Sequence, residues 1–64
     1  MKFAKNMILL KGSSSAAFYV SRKKDFVKIT YYNDLKLSNT EELSLDNGSK
    51  KYYILLDNGY KEAF

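Results

Sequence analysis

A chain of 64 residues with no cysteine and no histidine cannot use disulfides, and it lacks the imidazole and thiolate groups that build most zinc sites and most neutral-pH acid–base catalysis. Its 45% apolar content, with six Tyr and four Phe, excludes intrinsic disorder and predicts one small domain, 1–64, stabilised by packing or self-association. The formal charge of +4 permits an acidic partner without requiring one, and the absence of cysteine fits a reducing cytoplasm.

Met7 to Leu10 is the first apolar run, and Lys11 closes it. It is too short for a secretion-signal core or a membrane span, but it has the length of a β-strand. Gly12 and Ser13-Ser14-Ser15 are turn chemistry. Ala16 to Arg22 then alternates, with Phe18 and Val20 facing one way and Tyr19 and Ser21 the other. Arg22-Lys23-Lys24-Asp25 reads as a polar hairpin tip. Phe26 to Tyr32 is the clearest strand: Val27, Ile29 and Tyr31 share a face opposite Lys28 and Thr30, and the residues are β-branched or aromatic. Asn33-Asp34 is a turn, and Leu35-Lys36-Leu37 is a short alternating strand.

Ser38-Asn39-Thr40-Glu41-Glu42 is ambiguous. Ser38 with Glu41, or Asn39 with Glu42, has capping-box spacing and could start a short helical turn near 39–44; otherwise this is a loop leading into a Leu43–Leu45 strand. The remainder repeats itself. Leu43-Ser44-Leu45-Asp46-Asn47-Gly48 is echoed by Ile54-Leu55-Leu56-Asp57-Asn58-Gly59, each an apolar run entering Asp-Asn-Gly. Asn-Gly between apolar runs is a strong hairpin signal, so both pairs are read as hairpin turns flanking a strand at Lys50–Leu56, with Tyr60–Phe64 as a closing strand. The expected fold is all-β: a small antiparallel meander forming a curved sheet or a small barrel of five to seven short strands. Its expected core is Phe18, Val20, Val27, Ile29, Ile54 and Leu56.

No catalytic, cofactor-binding or metal-ligating constellation is legible, and the chain reads as a non-enzyme with no cofactor. Glu41-Glu42 is the one adjacent carboxylate pair, and strand neighbours point to opposite faces. The two Asp-Asn-Gly segments lack the spacing and distal Glu of a calcium loop. The glycines at 12, 48 and 59 are isolated and form no phosphate loop.

Binding is a better fit. Arg22, Lys23 and Lys24 put three positive charges on one tip, and Lys50, Lys51, Tyr53, Tyr60 and Lys61 interleave lysine with tyrosine. Such surfaces suit protein recognition, where Tyr gives large contact area at low entropy cost. They also suit single-stranded DNA or RNA, where rings stack on bases and lysines meet phosphates. In overall character, tiny and rich in Lys, Asn and Tyr, the chain resembles accessory proteins of phages and mobile elements of low-GC bacteria. The likeness implies a module that occupies a host protein and inhibits or redirects it. A basic chain is not a DNA mimic, so the site on that host protein is expected outside a nucleic-acid groove. The small core also predicts a homodimer, through an edge strand or an apolar face.

Overall fold

The computed structural model describes Phe3, residues 5–34 and residues 36–63. Five antiparallel strands form one open, curved sheet: β1 (Met7–Lys11), β2 (Ser15–Ser21), β3 (Phe26–Asn33), β4 (Lys36–Ser44) and β5 (Lys61–Glu62), in spatial order β4-β3-β2-β1-β5. The meander expected from the alternating segments is therefore present, as an open sheet rather than a barrel. Between β4 and β5 the chain forms one helix, α1 (Leu45–Asp57). Among the described residues no helix is long and apolar enough to cross a membrane.

Register explains which face is buried. Ile8 lies opposite Phe18, and Phe18 opposite Ile29, while Val20 pairs with Val27 and Leu10 with Ala16. All of these side chains project to one face, which α1 covers. Phe18, Leu10, Ile29 and Val27 are fully buried there. Tyr52 of α1 completes an aromatic cluster, its ring 6.0 Å from Phe18 and 6.2 Å from Phe3, both edge-on. That edge-to-face geometry suits the ring quadrupoles and lets the Tyr52 hydroxyl reach the rim, where it donates to Glu62 Oε2 at 3.3 Å.

Three local expectations are corrected. Residues 50–56 are helical, because burial follows a helical and not a period-two spacing: Gly48, Ser49, Tyr52 and Leu55 face the sheet while Asp46, Asn47, Lys50 and Asp57 face out. Ile54 is accordingly 52% exposed and Leu56 only partly buried, so Tyr52 and Leu55 take their expected places in the core. Neither Asn-Gly turns a hairpin. Asn47-Gly48 sits inside α1, which is capped at Ser44, whose hydroxyl accepts from the Asn47 amide. Asn58-Gly59 ends the helix: Gly59 at φ +90° lets its amide reach Leu56 O and that of Tyr60 reach Leu55 O, satisfying the last carbonyls. Finally, Ser38–Glu42 is neither helix nor loop. It is β-strand, and β4 runs on through Leu43 and Ser44, with Leu45 entering the helix. Thr40 opposite Thr30 and Glu42 opposite Lys28 are favourable cross-strand pairs. Leu35 of the short expected strand and Phe64 of the closing one lie outside the described residues, and the closing strand itself shortens to two residues.

At the far end of β4, the Tyr31 hydroxyl donates to Glu41 Oε1 at 2.7 Å. Burial, this bond and the Glu41 charge all raise the Tyr31 pKa above its usual 10.0, and burial with Glu62 raises that of Tyr52. The neutral phenols are thus favoured by the fold. Their contribution is complete below about pH 10 and is lost as the unfolded phenols begin to ionise above it. Stability should fall on passing pH 10, and Tyr31→Phe should flatten that fall while costing about 1 kcal/mol at neutral pH. Urea titrations at pH 7 and pH 11 would measure both; an unchanged alkaline slope in Tyr31→Phe would refute the assignment.

Candidate binding surface

The sheet has a second face that α1 does not cover. By register it carries Met7, Leu9 and Lys11 of β1; Ser15, Ala17, Tyr19 and Ser21 of β2; Phe26, Lys28, Thr30 and Tyr32 of β3; and Thr40, Glu42 and Ser44 of β4. Leu37 joins them, because a bulge at Tyr31/Tyr32 sets it opposite Tyr32. Met7 is 50% exposed, Tyr19 51% and Leu37 64%, so large apolar groups stand in solvent here. Four strands at about 4.8 Å spacing and about five residues each give a face on the order of 350 Å², on which these apolar groups are interspersed with Lys11, Lys28, Glu42 and hydroxyl side chains. Among the described residues no helix or strand packs over it.

The two sheet edges differ. On one side, β5 pairs with Leu10 and Lys11, and the Ala63 amide bonds to Leu9 O, so the edge of β1 is closed in part. On the other side, β4 is a nine-residue strand whose outer edge has no strand partner among the described residues. Such an edge is a template for pairing with another chain.

At one end of the uncovered face is a cleft of about 590 Å³, lined by Leu9, Lys11, Tyr32 and the two turns Gly12–Ser15 and Asn33–Asp34. Tyr60 braces it from behind. Its hydroxyl lies 3.3 Å from Ser13 Oγ and 2.8 Å from Ser14 Oγ, contacts that hold its pKa below the usual value. Its ring lies so close to Gly12 that a Cβ there would sit 2.8 Å from Cγ. The turn therefore needs glycine for close approach.

The residues singled out from sequence are not gathered into one patch. Arg22 is occupied structurally, donating to Asn6 Oδ1 and to the Phe3 carbonyl and so tying down the N-terminal segment. Lys23 and Lys24 are exposed at the hairpin tip, at the end of the sheet where α1 begins. Lys50, Lys51 and Tyr53 lie on α1, with Tyr53 half exposed and its ring edge-on to Tyr52 at 5.4 Å. Tyr60 and Lys61 lie at the opposite end, beside the cleft. What sequence reasoning missed is the uncovered face itself. Its signal was present in the outward half of the alternation in β2, Tyr19 above all.

The described residues hold no cluster of three or more acidic groups able to bind a metal ion. The architecture is that of a curved antiparallel sheet with a helix on one face and a mixed surface, bearing exposed Met7, Tyr19 and Leu37, open on the other. Comparison with protein-family models, with curated proteins and with solved structures finds no match to this chain.

Proposed function

We propose that this chain is a non-enzymatic binding module that attaches to a host protein through the uncovered sheet face and blocks or redirects it. The observation that carries the reading is the exposed cross-strand pair Met7 and Tyr19 beside partly buried Leu9, Ala17 and Phe26, with Leu37 exposed next to Tyr32 at the opposite corner of the same face. Aromatic and Met side chains are the residues enriched in interface cores, and Lys28, Glu42, Lys11 and Lys61 supply charges around them. The free β4 edge adds backbone groups for strand addition, and it is the surface through which a homodimer would form. Lys23 and Lys24 at the tip steer the approach toward acidic surface, an effect on association rate more than on residence.

A second reading, single-stranded nucleic acid, draws on Tyr19 beside Lys28 and on Tyr32, which lines the cleft together with Lys11. The same experiment separates the two. Met7→Ser with Tyr19→Ser alters two exposed cross-strand neighbours and leaves the core intact. Affinity capture from the native host's lysate, with and without nuclease, should return a nuclease-resistant protein that the double variant loses by about tenfold or more. Recovery of nucleic acid alone, abolished by nuclease, would overturn the reading.

A further inference from the structure

We propose that the cleft between the Gly12–Ser15 and Asn33–Asp34 turns receives an extended acidic–aromatic segment of the protein partner, with a carboxylate seated on Lys11 and Lys61. The proposal rests on the function above and specifies its partner. Lys11 and Lys61 lie directly opposite one another across β1 and β5, on the uncovered face. Like charges so placed destabilise a strand pair, and β5 has only two residues, so half of its register is repulsive. Among the described residues no carboxylate pairs with either lysine. Glu62 points to the other face, held by the Tyr52 hydroxyl and by Lys5 at 3.3 Å, and that is the only ion pair among the described residues. A repulsion retained in a marginal edge strand is the kind of local inconsistency that accompanies a binding site.

The adjoining surface says what kind of anion fits. Leu9 and the Tyr32 ring offer an apolar wall, while Ser13, Ser14 and Asn33 offer hydrogen-bonding groups at the turns. A side chain that is apolar or aromatic, next in sequence to a carboxylate, satisfies both. Asp34 is the one carboxylate in the lining and stands on the opposite turn from Lys11, so it orients the guest with its negative end toward β1 and β5. A nucleic-acid strand is the poorer fit. Lys28 already faces Glu42, which leaves this single lysine pair instead of a basic track along the face.

The test is an NMR titration of the intact protein with a short capped peptide alternating Glu with Phe and Val, its Gln-for-Glu counterpart, and oligothymidylate. The acidic peptide should shift Leu9 and Tyr32 signals and bind more tightly than the Gln peptide. Lys11→Gln with Lys61→Gln should weaken it by about three- to tenfold, and Asp34→Asn should tighten it by about two- to threefold. The double lysine variant removes a repulsion, so its melting temperature should be unchanged or higher, which controls for folding. Equal binding of the two peptides, tighter binding of oligothymidylate at the same residues, or no shift at Leu9 and Tyr32 would overturn the proposal. Capture that still depends on Met7 and Tyr19 would then leave the broader function standing.

Discussion

Phe18→Ala is expected to leave little or no folded protein at room temperature, whereas Tyr19→Ala, one residue on, should change stability by no more than about 0.5 kcal/mol. Phe18 is fully buried on the strand at the middle of the sheet, between Ile8 and Ile29, and its ring meets both Phe3 and Tyr52. Removing a buried phenyl group costs about 3–5 kcal/mol in lost transfer energy and residual cavity. A domain of this length has a total stability of about 3–10 kcal/mol, and without cysteine it has no disulfide to supplement it. The loss is therefore comparable to the whole. Tyr19 points the other way and touches none of that core, which is what a period of two demands. Thermal melts by circular dichroism would read both; a Phe18→Ala melting temperature within a few degrees of the parent would mean that the sheet's faces are wrongly assigned.

The contrast between these neighbours also shows why the first half of the chain was legible. β1 is an apolar run of strand length, in β2 and β3 the side chains alternate in sequence, turn residues separate the three, and the pairing register repeats what the alternation implies. Here local pattern and tertiary environment agree. In the second half they conflict. Lys50-Lys51-Tyr52-Tyr53-Ile54-Leu55-Leu56 has the aromatic and branched residues of a strand, and two Asn-Gly pairs flank it as though it were a hairpin arm. Strand propensity, however, is a preference for a pleated, half-buried surface. The apolar face built by β1, β2 and β3 needed a cover, and a helix supplies one with Tyr52 and Leu55 on a single stripe. The spacing of Leu45, Ser49, Tyr52 and Leu55 is helical, but sequence reasoning followed the repeated turn signal and did not consider it. The candidate site followed the same division. Lys50, Lys51 and Tyr53 were grouped on a strand that does not exist, while the outward residues of the strands that do exist form the open face.

The two glycines of the repeat give the second large effect, and they separate the two reasons for which a chain keeps glycine. Gly48→Ala should destabilise the fold by about 1–2 kcal/mol although alanine is the better helix former by about 1 kcal/mol. A Cβ at position 48 would lie 2.8 Å from both Cβ and Cγ2 of Val27. Val27 is fully buried on β3, and its Cβ is fixed to the backbone, so no side-chain rotation relieves the contact. The helix must lift from the sheet and loosen Tyr52 and Leu55 with it. Gly59 is different: nothing lies within 4 Å of its would-be Cβ, but its φ of +90° is one that residues with a Cβ rarely adopt. Gly59→Ala should cost about 1–2 kcal/mol through backbone strain alone. Asparagine distinguishes the mechanisms, since it tolerates left-handed backbone but still carries a Cβ. Gly59→Asn should recover part of the loss seen with alanine, while Gly48→Asn should be no better than Gly48→Ala. Urea midpoints of the four variants would decide it. If asparagine rescued position 48 instead, the close approach of α1 to β3 would be wrong, and with it the reason this repeat became a helix with a capped end in place of two hairpins.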